Sequence, residues 1–102
     1  MEKDKLLFII NCHGTKSQED VAIEEMAELQ KAILKHRRYP SEKTRVDIID
    51  EIADVEIMLE QLKIIYSCKK EVESRIDYKI ERQIKSDGEV YALITLIKRK
   101  LE

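Results

Sequence analysis

Only three of the 102 residues are glycine or proline, at Gly14, Pro40 and Gly88, so the chain has few places where a helix is obliged to stop. Proline disfavours the α conformation in the residue before it, and glycine most readily takes the left-handed conformation that closes a helix. Charged residues, many of them good helix formers, make up 39% of the chain. The expectation is an all-α chain of long helices with short turns, forming a single domain over residues 1–102.

The segment Leu6 to Cys12 predicts a short opening helix, closed by Asn11-Cys12-His13-Gly14. Ser17 followed by Gln18, Glu19 and Asp20 is a start signal, a capping hydroxyl and then acids at the positive end of the helix dipole. This second helix should run to Arg38, where Lys35, His36, Arg37 and Arg38 suit the negative end. A third helix is expected from Ser41–Thr44 to about Tyr66, and a fourth from Lys69 to Lys85, ended by Ser86-Asp87-Gly88. Val90, Leu93, Ile94, Ile97 and Leu101 then mark a final amphipathic helix.

Nineteen basic residues against twenty-one acidic ones leave a net charge of −2, which gives no electrostatic case for nucleic acid as a partner. The apolar run Leu6 to Ile10 is too short for a signal sequence or a bilayer span, so no membrane association is expected. Cys12 and Cys68 lack a metal-type spacing and read as free thiols of a cytoplasmic protein.

The chemistry is concentrated in a pattern that occurs twice. Ile23-Glu24-Glu25-Met26-Ala27-Glu28-Leu29 is echoed by Ile49-Asp50-Glu51-Ile52-Ala53-Asp54-Val55, with two acids three residues apart in each copy. At about 100° per residue, Glu25 falls among Val21, Ala22, Leu29 and Ala32, and Glu51 among Ile48, Val55, Met58 and Leu62. Glu28 and Asp54 each lie about 60° to the same side of their partner. An ionised carboxylate in an apolar stripe costs several kcal/mol or more unless it is paired or holds a cation, and neither stripe contains a basic residue. Glu25, Glu28, Glu51 and Asp54 are therefore the candidate metal ligands. Carboxylate oxygens without His or Cys suit Mg²⁺, with Mn²⁺ as the alternative. A ferritin-like iron site would need Glu-x-x-His.

With 22 residues between the two motifs, Glu25-x-x-Glu28 and Glu51-x-x-Asp54 resemble the paired acidic motifs of the MazG-like all-α nucleoside triphosphate pyrophosphohydrolases, over about Ser17 to Arg82. The resemblance implies a four-helix core, here with the short N-terminal helix and the C-terminal amphipathic helix, and oligomerisation. It further implies Mg²⁺-dependent hydrolysis of a nucleoside triphosphate to the monophosphate and pyrophosphate, as in clearing unwanted nucleotides. Glu24 and Glu25 are the candidate catalytic bases. Lys79 and Arg82 match the positions where family members meet substrate phosphates, although the stem of Lys79 would equally snorkel. Gln18, about two turns before the first acid motif, is a candidate for a base or ribose edge. Lys35 to Arg38 could attract a triphosphate, or simply complement the helix dipole.

Ile23, Ala27 and Leu34 form a second apolar row behind the second helix, as do Ile49, Ala53, Ile57 and Ile64 behind the third. A helix apolar on two sides is buried on two sides, which points to a homodimer or homotetramer. Two alternatives to the enzymatic reading are a non-catalytic helical interaction module and a pyrophosphohydrolase of a different phosphorylated metabolite.

Overall fold

A computed structural model describes all 102 residues. It contains four helices and no strand: α1 (Lys3–His13), α2 (Thr15–Arg38), α3 (Glu42–Ile65) and α4 (Lys69–Leu101). Two compact units result, Met1–Ser67 with the first three helices and Cys68–Glu102 with the fourth.

In the first unit a single residue separates α1 from α2. Gly14 has φ +89°, a conformation that L side chains rarely adopt. Its N–H donates to Ile10 O at 2.7 Å and its carbonyl accepts from Gln18 N–H at 3.1 Å, so it closes one helix and opens the next. The second helix therefore begins at Thr15, ahead of the Ser17 start signal, and no side chain caps it.

Pro40 acts as expected, and the turn after it is stitched by hydroxyl groups. Ser41 Oγ accepts from Thr44 N–H at 3.1 Å while Thr44 Oγ1 accepts from Ser41 N–H at 3.0 Å, a reciprocal cap that satisfies two backbone donors. His36 Nδ1 lies 2.7 Å from the buried Thr44 Oγ1 and ties the last turn of α2 to the first turn of α3.

These ties make α2 and α3 an antiparallel pair. Gln18 meets Gln61 at its open end and His36 meets Thr44 at its turn. The core is small: Leu6 and Ile10 of α1, one turn apart on one face, with Ala22 of α2 and Met58 of α3. Gln18 and Gln61 are buried with them, and Gln18 Nε2 donates to Gln61 Oε1 at 2.7 Å. A buried amide without a partner costs about 1–3 kcal/mol, so each of these glutamines requires the other. The back rows remain open, with Ile23, Leu34 and Ile49 all exposed.

The second unit is one helix where two were expected. Ser86-Asp87-Gly88 does not interrupt α4, which continues from Lys69 to Leu101. Gly88 lacks a positive φ, and Gln83 Nε2 donates to Asp87 Oδ1 at 2.9 Å across the turn before it. A lone glycine costs about 1 kcal/mol relative to Ala, too little to stop a helix without proline or a capping turn. None of the α4 side chains is buried within the chain. A Cβ at Gly88 would meet nothing within 4 Å. Gly88→Ala should therefore stabilise the helix by about 0.5–1 kcal/mol, measured as a higher midpoint for loss of far-ultraviolet circular dichroism. A lower midpoint would mean that the helix is broken there after all.

Candidate metal centre

The antiparallel register decides which acids meet. Moving from Gln18 up α2 by two turns reaches Glu25, and moving from Gln61 back along α3 by the same two turns reaches Asp54. The amide pair and the acid cluster are successive rungs of one ladder. Glu51 lies one further turn along α3, on the same face as Asp54.

Carboxylate oxygens of Glu25, Glu51 and Asp54 lie within 4.8 Å of one another. Glu25 and Glu51 are half-buried and Asp54 is exposed, so the cluster is open to solvent on one side. Oε2 of Glu51 is buried without any hydrogen-bond partner. It is the only buried side-chain polar atom in the chain left in that state. Burial raises the pKa of Glu25 above the ordinary 4.5. The neighbouring Glu51 and Asp54 carboxylates push it the same way, accepting a hydrogen bond from its protonated form and repelling its ionised form. Three acids with no counter-charge and one orphaned oxygen form a site that a divalent cation would satisfy.

The other sequence candidates are distributed differently. Glu28 is exposed and stays out of the three-residue cluster, its Oε1 3.8 Å from Lys31 Nζ. Glu24 is exposed on α2 beside Glu25. Gln18 is buried two turns from Glu25, its amide nitrogen committed to Gln61. Lys79 and Arg82 belong to α4 in the second unit, where the guanidinium groups of Arg82 and Arg75 stand 5.7 and 4.8 Å from the centre of the Tyr78 ring.

Sequence reasoning passed over Gln61. Its signal was present, since Gln61 follows Asp54 at the same seven-residue interval by which Gln18 precedes Glu25. Lys31 was also missed. With Lys35, Arg38, Asp47 and Asp50 it lines an open groove of about 400 Å³ that Glu28 and Glu51 also border. Comparison with family models, with curated proteins and with solved structures returns no match to this chain.

A pKa that is higher in the folded than in the unfolded chain favours folding only while the group is protonated. The stabilising contribution is complete below 4.5 and is lost as pH rises through the raised value. In metal-free buffer the wild type should therefore lose thermal stability relative to Glu25→Gln as pH increases from about 4 to neutrality. Midpoints of the two proteins that move in parallel over that range would show that the carboxyl is not strained by its neighbours.

Proposed function

We propose that the chain is a divalent-metal-dependent nucleoside triphosphate pyrophosphohydrolase of the MazG-like type. The observation that carries this reading is the buried, unpartnered Oε2 of Glu51 within a three-carboxylate cluster. A bound Mg²⁺ would neutralise phosphate oxygens and acidify water, which is most of what phosphoryl transfer needs from a protein. Glu51, Glu25 and Asp54 are the residues to hold it, and Glu28, on the groove that Glu51 also borders, is the candidate fourth ligand.

The reaction balances on these side chains. A water oxygen forms a bond to the α-phosphorus, and the bond from that phosphorus to the bridging oxygen breaks. Its electron pair leaves with pyrophosphate, and a carboxylate takes the water's proton. Glu25, on the face that carries the cluster, is one candidate for that last role. Glu24, beside it and exposed, is the other candidate.

The reading includes a homo-oligomer, dimer or tetramer. Ile23 is 67% exposed, Leu34 51% and Ile49 46% in the single chain, a density of apolar surface that small monomers avoid. The same surface supports the competing idea of a non-catalytic interaction module.

Pyrophosphate release should be measured on a panel of deoxy- and ribonucleoside triphosphates with Mg²⁺, extended to other phosphorylated metabolites. Turnover should fall by about two orders of magnitude in Glu51→Gln. Full activity in that variant removes the proposed role. A chain that releases no pyrophosphate and gains no thermal stability from Mg²⁺ is the interaction module instead.

A further inference from the structure

The carboxylate cluster accounts for only one end of the groove between α2 and α3. From Glu28 and Glu51 the groove extends towards the turn at Pro40, with Lys31, Lys35 and Arg38 on its α2 wall and Asp47 and Asp50 on its α3 wall. At 1.5 Å per residue the three cations stand about 5, 10 and 15 Å along the axis from Glu28. Lys31 is paired with Glu28 at 3.8 Å, and Asp47 is paired with Lys43 at 3.2 Å. Lys35 and Arg38 form no ion pair, although acids line the opposite wall. A helix end attracts cations without further reason, but that accounts for neither the groove beside them nor their freedom from the acids across it.

We infer that Lys35 and Arg38 seat the pyrophosphate portion of the substrate, with its other end at the Glu25, Glu51 and Asp54 cluster. The inference rests on the metal-dependent reading above and adds a direction to it: the leaving group points along the groove towards the hairpin turn, and the nucleoside lies on the far side of the acids. Four carboxylates line the groove against three cations, so the bare groove does not attract phosphate. A divalent cation on the acid cluster reverses that balance. Pyrophosphate and the metal therefore bind cooperatively, each raising the affinity of the other by the same factor. Lys35 and Arg38 act on pyrophosphate alone, because on α2 they lie about three to four turns beyond Glu25.

Calorimetric titration of the full chain tests this with two probes, Mg²⁺ alone and inorganic pyrophosphate with and without excess Mg²⁺. The wild type should bind pyrophosphate appreciably only when Mg²⁺ is present. The double variant Lys35→Gln/Arg38→Gln should lose about tenfold or more in pyrophosphate affinity and keep its affinity for Mg²⁺. Arg99→Gln/Lys100→Gln on α4 removes the same charge elsewhere and should bind like the wild type. Unchanged pyrophosphate affinity in the groove variant overturns the inference and leaves the metal site standing. Equal losses in both double variants also overturn it, since net charge alone would then explain the effect. Absence of Mg²⁺ binding in the wild type removes the metal reading, and with it the seat that rests on it.

Discussion

The antiparallel register of α2 and α3 is the constraint on which the rest depends. It is held at the turn by Thr44, whose hydroxyl meets His36 and the Ser41 backbone, and at the open end by the buried Gln18–Gln61 pair. Sliding one helix by a turn would strand both glutamines in an apolar core, at a cost of about 1–3 kcal/mol for each unpaired amide. A core of Leu6, Ile10, Ala22 and Met58 contributes roughly 1.5–3 kcal/mol per large side chain and has little shape specificity of its own. Polar complementarity therefore selects the alignment that apolar burial only makes favourable.

That alignment is also what brings like charges together. Glu25 meets Glu51 and Asp54 because the amide pair two turns away leaves no other option, and the strain is visible in the raised pKa of Glu25 and the orphaned Glu51 oxygen. A sequence free to choose would place a lysine beside one of these acids, as it does one turn along the same helix for Glu28 with Lys31 and for Asp47 with Lys43. Folding energy is retained in an uncompensated cluster that a cation would relieve. Sites of this kind are where local rules are broken while the rest of the chain obeys them.

Much of this was legible in the sequence, for identifiable reasons. Gly14 and Pro40 act through backbone geometry, which needs no tertiary context, and they mark two of the three breaks correctly. The acids were found because helical periodicity places Glu25 and Glu51 among apolar neighbours. Gly88 misled because a glycine is a weak breaker whose outcome depends on its neighbours, and Gln83 bridges to Asp87 across the doubtful turn. Glu28 shares the face of Glu25 on the helical wheel, but at the border of the stripe its Oε1 sits 3.8 Å from Lys31 Nζ of its own helix, outside the three-residue cluster.

Gln18 shows what one helix alone does not reveal. Read as a polar edge near the acids, it is buried two turns from them with its amide nitrogen on Gln61, a partner the sequence reading passed over. The two readings share a location and differ in whether a second amide stands opposite, which depends on pairing between helices and not on either helix alone. Once the turn at Pro40 is known, the pairing follows by counting outward along both arms: Thr44 against His36, Asp54 against Glu25, Gln61 against Gln18. In a helical hairpin with a short turn, polar residues at matching distances from the turn are candidates for contact across the pair, and acids at matching distances are candidates for a shared cation. The repeated motif of this chain has meaning because its two copies stand at matching distances from Pro40.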